Sequence, residues 1–217
     1  LKTILTSEKK ILEIIKKESK EIIEKYGDER KTKVVKHGAK ALSTEDLIPD
    51  AENVLVLTRG GYIKRTDPGE YRRQKRGGVG VIDLDTKEED FITIFETAST
   101  HSDLLFFSDR GKVYQLKMYD IPEARRATRG KSVMNFLSLA DSERITSVLV
   151  LPKLVKEQKD LSVMMITKNG VGKKCSAESL RDVRRSGIIA IKLSKGDELL
   201  STSFVEKGDS IVIATGG

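Results

Sequence analysis

The chain has 217 residues, 38% of them hydrophobic, with a formal charge of +7 and a pI near 9.3. That length allows one large or two small domains and the apolar fraction excludes wholesale disorder, while no apolar run reaches the roughly 18 residues that a membrane-spanning helix needs. The positive excess points to a nucleic acid or another anionic partner, and the lone Cys175, outside any CxxC context, to a reduced cytoplasmic setting rather than a disulfide framework. The charged N-terminus is no signal peptide and no membrane partner is implied. A start at Leu1 and an end at Thr215-Gly216-Gly217 read as a piece excised from something longer.

Residues 1–27 read as a helix and its cap. Leu1, Ile4, Leu5, Ile11, Leu12, Ile15, Ile22 and Tyr26 form one apolar stripe among Lys and Glu, and Gly27 is a natural stop. The near-heptad spacing predicts the C-terminal end of a coiled-coil arm. Residues 28–52 turn hydrophilic and read as a linker, with a short strand near Val34-Val35 and a capped turn from Ser43 to Pro49. His37 and His101 have no partners at metal-ligand spacing, so structural or solvated histidines are expected.

From residue 53 the sequence repeats about every 50 residues. Val54–Leu57, Leu104–Phe107 and Val163–Ile166 are apolar runs, each followed by a polar turn and a second strand. The pairs Gly60-Gly61, Arg110-Gly111 and Asn169-Gly170 predict two-residue hairpin turns. A second signature follows each hairpin: Arg76-Gly77-Gly78, Arg129-Gly130-Lys131 and Arg184-Arg185-Ser186-Gly187. These lead into expected third strands at 79–82, 132–136 and 188–191. Fourth strands are expected at Phe91–Phe95 and Ile145–Val150. The predicted class is mainly β, a propeller-like array of four-stranded blades over 53–217 after an N-terminal helix. It holds three blades and, at Ser210–Ile213, the first strand of a fourth.

Recurrence of the basic signature puts arginines at equivalent places on successive blades. The candidate phosphate contacts are Lys64, Arg65, Arg72 and Arg73 in the first unit, then Arg125, Arg126, Arg129 and Lys131. The third unit offers Lys173, Lys174, Arg181, Arg184 and Arg185. Such cations hold duplex DNA without reading its sequence, and the neighbouring glycines let the backbone approach a surface closely. A curved basic belt is a surface on which a duplex can bend.

The stretch Gln74-Lys75-Arg76-Gly77-Gly78-Val79-Gly80 resembles the hallmark box in the C-terminal domain of the bacterial DNA gyrase A subunit, departing from it only at Val79. Tyr26-Gly27-Asp28-Glu29-Arg30-Lys31-Thr32 resembles the end of the coiled-coil helix that precedes that domain. The resemblance implies a β-pinwheel, whose blades exchange strands, and a non-catalytic, DNA-wrapping function that lets the holoenzyme introduce negative supercoils. It also implies that the box is needed for wrapping, and that the partners are the gyrase B subunit together with the rest of the A subunit, in an A2B2 assembly. The catalytic tyrosine, the ATPase and the ATP and Mg sites would all lie outside this chain. The topoisomerase IV A subunit is the related alternative, and a protein-binding propeller the unrelated one.

No catalytic or metal constellation is expected. Asn169–Lys174 lacks the glycine and hydroxyl of a phosphate-binding loop, and the acids at 88–90 and 141–143 read as solvated turns.

Overall fold

The computed structural model describes residues 7–28, 44–71, 90–151 and 161–213. The chain divides into two compact units between Leu42 and Ser43. In the first, helix α1 (Glu8–Tyr26) buries none of its residues, and Leu12, Ile15, Ile22 and Tyr26 of the apolar stripe are exposed. The Gly27 N–H closes it by donating to Ile23 O. Gly27 is not left-handed (φ −72°). Glycine is required there because a Cβ would lie 2.3 Å from the Ile23 carbonyl oxygen. The strand expected near Val34-Val35 lies outside the described residues.

The second unit holds three antiparallel sheets. The first has the order β3 (Ile92–Ser99), β1 (Glu52–Thr58), β2 (Tyr62–Thr66), β6 (Lys131–Ser132). The second runs β10 (Ile188–Ile189), β5 (Lys112–Lys117), β4 (Asp103–Ser108), β7 (Ile145–Leu151). The third comprises β11 (Leu199–Val205), β8 (Ser162–Thr167) and β9 (Gly172–Ser176). Each of the first two sheets is therefore completed by a strand from the following unit. Tyr62 and Ile63 pair with Ser132 and Lys131, and Val113 and Lys112 with Ile188 and Ile189.

The apolar runs of β1 and β4 are strands buried on both faces, whereas β8 buries only Val163, Met165 and Thr167 on one face. On β4, Leu104 and Phe106 join Leu55, Leu57 and Ile63 of the first sheet in one core. Leu105 and Phe107 join Val163, Met165 and Leu199 of the third sheet in another. Period-two alternation thus makes one strand the shared wall of two cores. The turn Thr44–Leu47 and its sequel, read as linker, are tied to the β3–β4 turn. Thr100 Oγ1 donates to Pro49 O (2.7 Å), and His101 Nε2 lies 2.8 Å from Ile48 O, a structural histidine.

Several expectations are corrected. The hairpin loops have three residues, not two: Leu57 pairs with Ile63, and Gly61, Gly111 and Gly170 donate to Thr58, Ser108 and Thr167 O. Only those glycines have positive φ in their loops, 78°, 72° and 82°. This is a type I turn closed by a left-handed glycine. The third strands are shorter than expected. After Lys131–Ser132 the chain enters a 3-10 turn (Val133–Asn135) that drops Val133 and Leu137 into the core, and β10 stops at Ile189. Residues 210–213 form no strand; Ile211, Val212 and Ile213 instead line a cleft of about 580 Å³ with Met164, Ile166 and Leu200. Among the described residues no strand pairs with them. The predicted strand at 79–82 lies outside the described residues.

The acids are not all solvated turns either. Asp90, Glu143 and Asp197 each stand just before the last strand of a unit and clasp its hairpin. Asp90 accepts from Thr58 Oγ1 (2.9 Å) and the Gly60 N–H (2.8 Å), and Asp197 from the Asn169 N–H (3.0 Å) and Thr167. Glu143, 7% exposed, accepts from the Tyr114 hydroxyl and the Ala140 N–H. Burial opposes its charge, but hydrogen bonds from Ser108, Ala140 and Tyr114, with the Lys112 ammonium, prevail and hold its carboxyl below the usual range.

A depressed folded-state pKa stabilises above the unfolded value and is lost as pH falls through the folded one. The Glu143 contribution is therefore full at neutral pH and disappears on acidification below the ordinary carboxylate range. Glu143→Gln should lower urea stability at pH 7 and flatten its acid dependence; an unchanged pH profile would dismiss the clasp. Among the glycines, Gly196→Ala (φ 81°, open space around the new Cβ) should cost about 1 kcal/mol of backbone strain. Gly130→Ala should cost more in the same urea titrations, because its Cβ would meet Ile63 O at 2.5 Å.

Candidate nucleic-acid interface

The basic signatures lie on the crossovers that carry the chain from one sheet to the preceding one. After β5 a 3-10 turn (Met118–Asp120) sends the chain along β2. The Arg65 N–H donates to Pro122 O (3.1 Å), the Ala124 N–H to Arg65 O (2.9 Å), and Thr66 Oγ1 to Ala124 O (3.1 Å). The next crossover is fixed by the Val183 N–H on Gln115 Oε1 (2.9 Å), then by the Ala190 N–H on Gly111 O.

The recurring glycine has a definite task. Gly130 (φ 88°) sits on Ile63 and Lys64, and Gly187 (φ 75°) on the Tyr114 ring, where a Cβ would come within 2.5 Å. Its close approach is to the neighbouring strand, not to a phosphate. The sequence signal is the glycine itself, but its partner was not legible. The box Gln74–Gly80, with Arg72 and Arg73, lies outside the described residues.

The candidate cations separate into two groups. Lys64 is corrected: it is 1% exposed, and its ammonium donates to Arg126 O, with Arg125 O at 3.5 Å. It holds the basic loop from beneath instead of facing solvent. Arg65 is likewise engaged, with Nε on Ile121 O (2.8 Å), Nη1 on Asn53 Oδ1 (3.0 Å) and an ion pair to Glu123. The Arg126 guanidinium donates to Glu70 O (3.2 Å), while the Glu70 carboxylate takes the Arg126 N–H (2.6 Å). Arg129 lies over the Tyr62 ring at 3.7 Å, its Nε enclosed. Lys173 Nζ donates to Ala190 O (2.6 Å), and Arg185 pairs with Asp120.

The second group comprises Arg125, Lys131, Lys174, Arg181 and Arg184, all exposed. Among the described residues none of these side chains has a hydrogen bond or ion pair. Cations free of internal partners are the ones that can give up water for phosphate and release counterions. Glu70, whose carboxylate takes the Arg126 main-chain N–H, and Asp120, which pairs with Arg185, were missed by sequence reading. Each ends the 3-10 turn after a second strand, a positional signal that only the repeat alignment carries.

Lys64→Met should cost about 2 kcal/mol, since charge-assisted bonds are lost from a buried site. Lys131→Met, at an exposed site, should stay within about 0.5 kcal/mol. Thermal unfolding of both variants checks the assignment, and equal effects would reverse it.

The family described as "DNA gyrase C-terminal domain, beta-propeller" matches residues 52–98, 102–152 and 162–206. These segments follow the three repeat units. The DNA gyrase A subunit of Clostridium acetobutylicum is 43% identical over 215 residues, covering 99% of this chain and 25% of that protein. Its counterpart in Treponema pallidum is 38% identical, covering 99% and 26%. The chain thus spans about a quarter of the length of the curated relatives it matches. Among solved structures, a DNA gyrase A C-terminal domain is similar with TM-score 0.56 and 26% identity, over 72% of this chain and 49% of that one. The C-terminal domain of DNA topoisomerase IV is similar in fold, with TM-score 0.59 and 19% identity, over 72% and 46%.

Proposed function

The chain belongs to the family of β-propeller C-terminal domains of DNA gyrase, and from that premise we propose that it is a non-catalytic module that binds and bends duplex DNA. The observation that carries this reading is the recurrence of an exposed arginine on successive crossovers, Arg125 and Arg184, each seated on the preceding sheet. Lys131, Lys174 and Arg181 add to the same charge. Contacts of this kind go to the sugar-phosphate backbone, so binding is independent of sequence and steeply weakened by salt.

In the longer protein this module wraps DNA so that an A2B2 holoenzyme, completed by the gyrase B subunit, introduces negative supercoils in the cytoplasm. The cleavage tyrosine, the ATPase, and the ATP and Mg sites belong to other parts of that assembly. The box Gln74–Gly80 serves wrapping. Smooth bending of a 20–30 bp site costs on the order of 1–6 kcal/mol, which several phosphate contacts offset at low salt.

Ligation of a nicked circular plasmid with increasing amounts of the chain tests this directly. A positive linking-number shift, abolished when residues 74–80 are changed to alanine and lost as salt rises, is expected. Binding without a shift would reduce the chain to a basic platform. No binding at low salt would overturn the DNA reading.

A further inference from the structure

Each described crossover carries two adjacent arginines that the fold treats differently. The first, Arg125 or Arg184, is exposed and has no side-chain partner among the described residues. The second is fastened to the preceding unit. Arg126 donates two hydrogen bonds to Glu70, its guanidinium to the main-chain O and its main-chain N–H to the carboxylate, and Arg185 forms an ion pair with Asp120. Glu70 and Asp120 hold the same position, the end of the 3-10 turn that follows β2 and β5 respectively. At the equivalent place in the third unit stands Ser179, whose hydroxyl turns back to Ser176 O (2.6 Å).

We propose that the second arginine of each pair is a positioning residue, a latch that fixes the angle at which one blade meets the next, while the first is the phosphate contact. This rests on the DNA-wrapping reading and adds to it what orients successive DNA platforms.

The need for a latch follows from what else joins the blades. The shared cores are apolar, and such contacts resist separation but are non-directional. The exchanged ladders contain only two residue pairs each and begin beside a glycine. Rotation about such a short ladder is resisted by a directional contact placed away from it, and each acid-capped turn lies beyond the far end of the second strand. The side chains of Arg185 and Asp120 are 61% and 27% exposed. An ion pair so placed contributes little to overall stability. What it supplies is orientation. It also withholds its arginine from DNA, leaving the neighbouring arginine to meet the phosphates.

Two double variants of the 217-residue chain with equal charge loss separate the roles: R125A/R184A and R126A/R185A. Affinity for a linear duplex across a salt series is compared with the linking-number change per bound chain on a nicked circle. R125A/R184A should bind more weakly, with a salt slope smaller by about two, and keep its linking-number change per bound chain. R126A/R185A should keep its affinity within about threefold and lose at least half of that change. E70A/D120A frees the Arg185 guanidinium and removes the carboxylate that holds the Arg126 main-chain N–H, while keeping every arginine, and should also lose linking-number change without weaker binding. An unaltered linking number per bound chain in R126A/R185A or in E70A/D120A overturns the latch. Should the unsubstituted chain fail to bind or to shift the linking number, the DNA reading itself fails. The latch is then read from the distance between spin labels at Glu96→Cys and Glu206→Cys in a Cys175→Ser background. A distribution broadened by R126A/R185A supports it, and an unchanged one overturns it.

Discussion

Exchange of strands between neighbouring units is the constraint on which the other features depend. A hairpin such as β1–β2 leaves the edge of β2 with unpaired backbone groups, and an open edge is both unsatisfied and prone to wrong pairing. Here that edge is closed by β6, delivered by the following unit, and β5 is closed by β10 in the same way. To arrive there the chain must lie against β2 or β5 along its length. The glycines at 130 and 187, the polar contacts of Arg65 and Thr66, and the location of the arginines all follow from that path.

The same path explains how a run of like charges is tolerated. Arginines packed beside one another repel, yet most of the cations near the first crossover are engaged locally. Lys64 faces main-chain carbonyls, Arg65 faces Glu123, and Arg129 lies on Tyr62. Each of these ties the crossover to the earlier sheet, so the charge that binds the loop to the fold is separate from the charge that faces outward. A loop anchored by its own cations presents the remaining ones from a fixed backbone. Less side-chain and loop entropy is then lost when a polyanion is met.

Much of this was legible in the sequence. The runs Val54–Leu57 and Leu104–Phe107 announce strands buried on both faces, Val163–Ile166 announces a strand that buries only one, and the glycine-bearing turns announce hairpins at a regular interval. The loop length was misjudged because Gly60-Gly61 suggests two positive-φ residues, whereas only the second has one and Arg110 and Asn169 need none. The end of β6 at Ser132 was hidden because Val133-Met134-Asn135-Phe136 has strand-like composition, while packing of Val133 and Leu137 into the core demands a turn. Strand exchange came from family resemblance, since no periodicity reveals which sheet a strand will join. The exposed arginines could be named from the repeat. That Lys64 is buried could not, because its acceptors are main-chain carbonyls, which carry no residue identity.

Comparison of equivalent positions shows what the repeat preserves. The second-strand residue beneath the crossover glycine is Lys64 in the first unit and Tyr114 in the second, with Lys173 at the matching place in the third. Their polar tips find different acceptors: Arg125 and Arg126 carbonyls, the Glu143 carboxylate, and the Ala190 carbonyl. Burial first, and the Glu143 contact second, push the Tyr114 hydroxyl pKa up, so it stays a neutral donor. The side chain differs between units, but in each a donor at the end of a long stem meets an oxygen, and in the first two that stem lies under the crossover glycine. Residue type is therefore a weak guide there, and what the three positions share is a polar tip that meets an oxygen. A lysine at such a site reports on how one blade is held to the next, and only cations beyond the crossover's own network are left for a partner.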